Sequence, residues 1–183
     1  MGDEQNNVFQ LQYGPTPKTE KSALIDPTGT YRYLLTRVVP PSARRILWVM
    51  LNPSTADAFV DDATIRKIVG FSTRAGFGSI AVVNLFAFRS KEPQDLKRAV
   101  EAGKDPVGPE CDRHLADEAI HAELVVCAWG AHGSYLGRDV VVRNLLRKYH
   151  TSAALRVLGL TKQGQPVHPL YQKNETPFVP WGG

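Results

Sequence analysis

The chain has 183 residues, of which 43% are hydrophobic and 22% charged, so length and composition predict one globular domain with a sizeable core. Its net charge of +4 is compatible with nucleic acid or another polyanion as a partner, although many basic proteins bind neither. No apolar run approaches the roughly 20 residues that cross a bilayer, and the polar N-terminus does not resemble a signal peptide. These features argue against a membrane protein and favour a cytoplasmic one.

The two cysteines, Cys111 and Cys127, stand at no metal-ligand spacing and indicate no disulfide framework. Cys127 lies within an apolar run and is predicted to be a reduced core residue. The sequence also contains neither a Gly-rich dinucleotide fingerprint nor a phosphate-binding P-loop. We therefore expect no cofactor and no metal.

The N-terminal part of the chain differs in composition from the rest. Residues 1–22 contain two prolines and few apolar groups, which predicts a flexible arm before a single domain over residues 23–183. Residues 31–39 are rich in β-formers and predict an outer or edge strand. Arg32 and Arg37 on this strand are interpreted as surface charges, or alternatively as groups that reach a phosphate.

Four short apolar runs then follow along the chain, each bounded by turn residues. They predict buried strands over residues 46–51, 80–86, 124–129 and 155–160. Segments with helical spacing alternate with them, and the predicted helices run from Asp61 or Asp62 to Gly76, over 93–102, over 109–121 and over 136–149. This alternation predicts a three-layer α/β/α domain with a central, mainly parallel four-stranded sheet and an N-terminal edge strand.

Polar residues follow the predicted strands at the points where they end. They are Asn52, Asn84, the turn Trp129-Gly130-Ala131-His132, and His168. Each of them alone is explained as a turn former or a structural hydrogen-bonding group. Because the carboxyl ends of parallel strands share one edge of the sheet, where ligands bind in open α/β folds, together they predict one binding cleft.

Several segments resemble a bacterial and phage domain family of unknown function across about residues 30–181. They are Leu51-Asn52-Pro53-Ser54-Thr55-Ala56-Asp57, Val83-Asn84-Leu85-Phe86, Asp105-Pro106-Val107-Gly108-Pro109-Glu110, Ala128-Trp129-Gly130-Ala131-His132-Gly133 and His168-Pro169-Leu170-Tyr171. This family resemblance implies no activity by itself.

The order of these motifs is also similar to that of the uracil-DNA glycosylase superfamily. In that superfamily a first strand ends in a water-positioning turn, a second in an Asn that reads a pyrimidine, and a third in Trp-Gly, before a final His-Pro turn. The matching residues are Asn52-Pro53, Val83-Asn84, Trp129-Gly130 and His168-Pro169, with Leu170-Tyr171 where the superfamily has Ser-Pro. The resemblance implies the glycosylase fold and an enzyme that hydrolyses an N-glycosidic bond in DNA.

The resemblance also implies roles for individual residues. Asn52 would position a water under the sugar carbon, His168 would donate a hydrogen bond to the leaving base, and Asn84 would pair with the base edge. Phe59 or Phe86 would stack on the base. The full set of expected substrate contacts adds Pro53, Ser54, Thr55, Trp129, Gly130, His132 and Tyr171. Four basic residues are expected to meet phosphates or to be plain surface charges, namely Arg89, Lys91, Arg138 and Lys173.

Two other functions remain open at this stage. One is an enzyme that acts on free, modified nucleotides or nucleosides. The other is a non-catalytic reader of extrahelical or modified bases that uses the same cleft without turnover. We expect DNA or a nucleotide as the partner and a monomeric protein.

Overall fold

The computed structural model describes residues 20–54, 56, 58–149 and 155–182, together with the backbone of residues 10–14. The strands are β1 (Gln10–Gly14), β2 (Glu20–Ile25), β3 (Arg32–Val38), β4 (Arg45–Met50), β5 (Ser79–Asn84), β6 (Leu124–Cys127), β7 (Leu155–Val157) and β8 (Val179–Pro180). The helices are α1 (Ala63–Arg74), α2 (Pro93–Glu101), α3 (Cys111–His121) and α4 (Arg138–Tyr149). The α/β class predicted from the alternation of patterns is confirmed.

All the strands belong to one mixed sheet in the order β1-β2-β3-β5-β4-β6-β7-β8. The four strands β5, β4, β6 and β7 run parallel, while β1, β2, β3 and β8 pair antiparallel with their neighbours. The prediction of a mainly parallel four-stranded sheet was therefore wrong for the sheet as a whole. The parallel strands were found because they read as continuous apolar runs, whereas the antiparallel additions have mixed sequences.

Helices cover both faces of the parallel strands. On β4, Leu47 and Val49 belong to the apolar cluster that includes α3 and α4, whereas Ile46 and Trp48 belong to the cluster that includes α1. Successive side chains of a strand point to opposite faces, so this alternation places a helical layer on each side of the sheet. The continuous apolar run of β4 reflects burial on both sides.

The N-terminal region contributes strands as well. Residues 10–14 pair with β2, and β2 pairs with β3, so β3 lies inside the sheet instead of at its edge. The prediction of an arm over residues 1–22 therefore fails for residues 10–14 and 20–22, and its remainder lies outside the described residues. Arg32 and Arg37 are buried as a consequence, which corrects their interpretation as surface charges.

The helix boundaries follow local capping chemistry. Asp62 is the N-cap of α1, and its Oδ1 accepts a hydrogen bond from the Ile65 backbone N–H at 2.8 Å. The fourth helix begins at Arg138 and not at 136, because Leu136 has a φ of +53° that no helix accepts. Among the described residues, none of the helices combines the length and the apolar character that crossing a membrane requires.

Candidate functional site

A cavity of about 710 Å³ opens at the carboxyl ends of β4, β5 and β6. This is the edge at which open α/β sheets bind ligands. Nine of the residues predicted from the sequence line it: Asn52, Ser54, Asn84, Lys91, Trp129, Gly130, His132, His168 and Tyr171. Segments that are far apart in the chain thus meet around one space.

Asn52 is held in one orientation by Ser90. Its Nδ2 donates to the backbone oxygen of Ser90 at 3.0 Å, to Ser90 Oγ at 2.9 Å and to the Pro53 oxygen at 3.2 Å. Backbone oxygens can only accept hydrogen bonds, so the nitrogen of the Asn52 amide must face them. The amide oxygen of Asn52 is consequently turned away from this anchor, on the opposite side of the amide group.

Asn84 presents an unsatisfied amide to the cavity. The residue is the last of β5 and only 3% exposed, and its Oδ1 has no hydrogen-bond partner among the described residues. A buried polar atom without a partner costs roughly 1–3 kcal/mol, and such atoms are rare in folded proteins. Because Asn84 lines the cavity, a ligand with a hydrogen-bond donor would satisfy this oxygen.

His168 is a neutral hydrogen-bond donor in this site. Its Nδ1 accepts from the Leu170 backbone N–H at 3.3 Å, which leaves the ring proton of the neutral form on Nε2. Burial lowers the pKa of His168 below its ordinary value of 6.5, while the negative charge of Asp62 acts in the opposite direction. The imidazole is therefore uncharged near neutral pH and can donate one hydrogen bond through Nε2.

Asp62 brings a carboxylate to the same cavity. Its Oδ1 caps α1, and its Oδ2 accepts a hydrogen bond from the Ser54 hydroxyl. Asp62 and Ser54 both line the cavity, as do Ser90 and Asn52. The turn after β4 and the start of α1 thus jointly supply an amide, a hydroxyl and a carboxylate.

The turn after β6 forms a rigid wall of the cavity. Trp129 Nε1 donates to Gln165 Oε1 at 2.7 Å, and the Trp129 ring packs edge-on against Trp181 with centroids 5.4 Å apart. A Cβ on Gly133 would come within 2.0 Å of the Trp129 ring, so only glycine fits there. The last glycine of the Trp-Gly-Ala-His-Gly motif is thereby explained by close packing against the indole.

Some predicted substrate contacts do not reach the cavity. Phe86 is fully buried in the cluster on the α3–α4 side, with its ring 5.9 Å from that of Tyr135, so it cannot stack on a ligand in the cavity. Pro53 and Phe59 do not line the cavity either, and Phe59 is 53% exposed. Thr55 lies outside the described residues. The alternation of side chains along the strand did not by itself predict on which face of the sheet Phe86 lies.

Of the four basic residues predicted to contact phosphates, one lines the cavity and three do not. Arg138 is buried, donates to the Leu85 oxygen at 2.9 Å and pairs with Asp112 at 2.5 Å, so its role is structural and its prediction as a phosphate contact was wrong. Arg89 donates to the Gly29 oxygen at 3.1 Å, away from the cavity. Lys173 is exposed and does not line the cavity, whereas Lys91 is exposed and does.

Sequence reasoning missed other residues of the cavity wall. They are, among others, Arg32, Asp62, Thr64, Ser90, Glu92, Thr161 and Gln172. Arg32 was assigned to a surface strand, and Asp62 was explained by helix capping alone. The charged residues lining the cavity within the described part of the chain are Arg32, Lys91, Asp62 and Glu92, so their charges balance. Within that same part, no three His, Cys, Asp or Glu side chains group as a metal site.

The two cysteines play no part in the cavity. Both are buried free thiols. Burial raises the pKa of Cys111 to about 12, and burial also raises the pKa of Cys127. Thiols of this kind are unreactive core residues.

Comparison with known proteins gives a family but no activity. The family model described as "Protein of unknown function (DUF1643)" matches residues 32–170, well over half of the chain. This match includes the turn after β4, the end of β5, the Trp-Gly turn and His168. No curated protein and no solved structure matches the chain.

Proposed function

The chain belongs to the family of proteins of unknown function DUF1643, and from that premise we propose that its cavity binds a nucleobase and hydrolyses the N-glycosidic bond of a modified or mismatched base in DNA. The proposal includes a fold related to that of uracil-DNA glycosylases. The observation that carries it is the meeting of Asn52, Asn84 and His168 around one cavity. These are the three groups to which the motif order assigns water positioning, base reading and leaving-group stabilisation.

Asn84 provides the recognition element of the proposal. An asparagine amide offers one acceptor and one donor side by side, which matches the hydrogen-bonding edge of a nucleobase. Its buried, unpartnered Oδ1 would gain a hydrogen bond from a ring or exocyclic N–H of the base. A site built around such a group discriminates strongly against ligands that leave it unpaired.

His168 provides electrostatic stabilisation of the leaving base. When the glycosidic bond breaks, the sugar develops positive charge and the base develops negative charge. A fixed Nε2–H donor next to the base oxygen stabilises that negative charge, and one such donor is worth roughly 3–4 kcal/mol in comparable sites. The neutral state of His168 requires no proton to be taken up before the reaction.

Asn52 positions the attacking water. Its amide oxygen accepts a hydrogen bond from the water, while Ser90 fixes the amide nitrogen on the other side. Positioning of this kind reduces the entropic part of the barrier. An amide is not a proton acceptor, so Asn52 contributes orientation and no base catalysis.

The balanced charges of the cavity favour a base over a polyphosphate. Two basic and two acidic side chains are among its described lining residues. A pocket for a free nucleoside triphosphate would require an excess of positive charge or a helix N-terminus with a Gly-rich loop. This observation supports a base-acting protein over an enzyme on free nucleoside polyphosphates.

A non-catalytic reader of extrahelical bases is the second candidate. The observation in its favour is that Asn52, the residue assigned to positioning the water, carries an amide and no ionisable group. Asn84 and His168 would bind a base equally well without turnover. Only a measurement of product separates the reader from the enzyme.

The test uses the purified full chain and a panel of DNA duplexes, each with one mismatched, deaminated or modified base. Abasic product is detected by strand cleavage after alkaline treatment. We expect product from at least one duplex, and a roughly 10²–10³-fold lower rate in His168→Ala and in Asn52→Ala. His121→Ala and Asn144→Ala, which lie on α3 and α4 away from the cavity, serve as matched controls.

The outcomes separate the candidate functions. Salt-sensitive, base-dependent duplex binding without product favours the reader. Absence of duplex binding together with turnover of a free nucleoside favours the enzyme on free nucleotides. Full activity in His168→Ala would contradict the assigned roles even if product is formed.

A further inference from the structure

Hydrolysis in the proposed site requires a proton acceptor. A water that attacks the sugar carbon loses a proton, and a group in the cavity must receive it. The Asn52 amide cannot, and the Nδ1 of His168 is already occupied as an acceptor of the Leu170 N–H. Neither Asn52 nor His168, the two groups assigned to catalysis from the motif order, therefore accepts the proton of the water.

Within the described part of the chain, two carboxylates line the cavity, and they differ in their surroundings. Glu92 is exposed at the start of α2, where its backbone N–H donates to Asp95 Oδ2 at 3.4 Å and its backbone oxygen accepts from the Asp95 N–H at 3.0 Å. Asp62 is partly buried, and its Oδ2 is bonded to the Ser54 hydroxyl, which follows Asn52 by two residues. Asp62 also acts electrostatically on His168, which lines the same cavity.

The orientation of the Ser54 hydroxyl suits a proton relay. Because this hydroxyl donates to Asp62, its oxygen is left with lone pairs that can accept a hydrogen bond from a water in the cavity. Asn52 belongs to the same turn after β4 as Ser54, and both residues line the same cavity. The arrangement joins a positioning acceptor with a path to a carboxylate.

We propose that the Ser54–Asp62 pair is the proton acceptor of the reaction, a role that rests on the proposed glycosidic hydrolysis. As the sugar–base bond breaks with its electron pair on the base, the water oxygen bonds to the sugar carbon. The water proton passes to Ser54 Oγ while the hydroxyl proton of Ser54 passes to Asp62. Asp62 then returns the proton to the departing base anion through solvent, so the net reaction adds one water.

Helix capping is the competing explanation for Asp62. Its Oδ1 satisfies the N–H of Ile65 at the start of α1, which by itself accounts for an acidic residue there. Asparagine is an equally good N-cap and retains an oxygen for this bond, but it cannot accept a proton. The substitution Asp62→Asn therefore separates the two roles of one side chain.

Other charged and titratable groups lie near the Ser54–Asp62 pair. Arg32, Lys91, Glu92, His132 and His168 line the same cavity. Asp61, the neighbour of Asp62 in the chain, pairs with Arg37 and Lys21. The measurement must therefore compare pH profiles of variants instead of reading one profile of the intact protein.

The experiment measures kcat, KM and the pH dependence of kcat for the intact protein, Asp62→Asn, Ser54→Ala and Ser54→Thr on the duplex that gives product. Asp117→Asn, an exposed acid on α3, is the matched control. We expect Asp62→Asn to lower kcat roughly 10²–10⁴-fold with KM unchanged, and to remove the fall in kcat at acid pH. Ser54→Ala lowers kcat in the same way, and Ser54→Thr restores it because threonine keeps the hydroxyl.

The results distinguish this proposal from the proposed function. Product from the intact protein together with an unchanged kcat and pH profile in Asp62→Asn refutes the proton-acceptor role alone. No product from the intact protein refutes the proposed function and the role of the pair with it. If Asp62→Asn does not fold, the serine variants decide, because a kcat in Ser54→Ala equal to that of the intact protein overturns the relay.

Discussion

Two regions of this molecule differ in whether their buried polar groups have hydrogen-bond partners. On β3 and at the start of α4, Arg37 and Arg138 are almost fully buried, and each pairs with an aspartate and donates to a backbone oxygen. At the cavity, the buried Asn84 has an amide oxygen without a partner among the described residues, and the Asn52 amide nitrogen is anchored by Ser90. The satisfied arginines hold segments of the fold together, whereas the oxygen of Asn84, which has no partner among the described residues, faces a cavity that a ligand can enter.

The largest effect is expected where the satisfied network is broken. Arg37→Met removes a guanidinium that donates to Asp61 at 2.7 Å and to the Thr36 oxygen at 2.7 Å. Removing one partner of a buried pair costs roughly 3–5 kcal/mol of the free energy of unfolding, measured by urea denaturation. Arg44→Met, at an exposed pair with Glu123, is the control and should cost less than about 1 kcal/mol. Equal losses in both variants would contradict the comparison.

At the cavity, replacing Asn84 should leave the free energy of unfolding nearly unchanged and weaken binding of the base. Asn84→Leu removes the unpartnered oxygen, so the free energy of unfolding is expected to stay equal or rise by up to about 1 kcal/mol. Affinity for the base, measured by titration of a product duplex or a free base, is expected to fall at least roughly tenfold, since one good polar contact is worth about 1–3 kcal/mol. Asn144→Leu on α4 is the control. A large loss of stability in Asn84→Leu would assign Asn84 to the fold.

A smaller effect is expected from the anchor of Asn52. Ser90→Ala removes one acceptor of the Asn52 amide but leaves the backbone oxygen of Ser90 in place. The amide then samples other orientations, and kcat is expected to fall about tenfold while KM stays constant. Ser134→Ala, an exposed serine after β6 that does not line the cavity, should leave kcat unchanged. An equal fall in kcat in Ser90→Ala and Ser134→Ala would contradict the anchoring role of Ser90.

The smallest effect is a pH dependence of stability. Burial lowers the pKa of folded His168 below 6.5, so below that pH the unfolded chain binds more protons than the folded one. Stability is therefore complete above pH 6.5 and decreases as the pH falls towards the lowered pKa of the folded state. His168→Gln should reduce this slope in urea unfolding measured between pH 5 and pH 8. His114 contributes in the same direction because its pKa is also lowered by burial, so the slope is reduced and not abolished.

The sequence predicted the cavity better than its individual contacts. Asn52, Asn84 and Trp129 were found because turn residues after apolar runs indicate strand ends, and parallel strands bring those ends to one edge. His168 also lines the cavity, but it was predicted as a strand-end residue and instead begins a short 3-10 turn well after β7. Phe86 was placed in the cavity but lies in the core, because a residue just beyond a strand no longer follows strict alternation. Asp62 and Ser90 were missed as cavity residues because their local roles in a cap and a loop gave no sign of what they face.

By itself, the sequence determined the α/β class, the four parallel strands and the polar residues at their carboxyl ends, since these depend on local periodicity and turn chemistry. Only the tertiary structure decided which charges are buried, as with Arg32, Arg37 and Arg138, and which polar atom lacks a partner, as with Asn84. Burial and hydrogen-bond satisfaction depend on contacts between segments that are distant in the chain. A pattern within one segment carries no information about the atoms that another segment brings beside it.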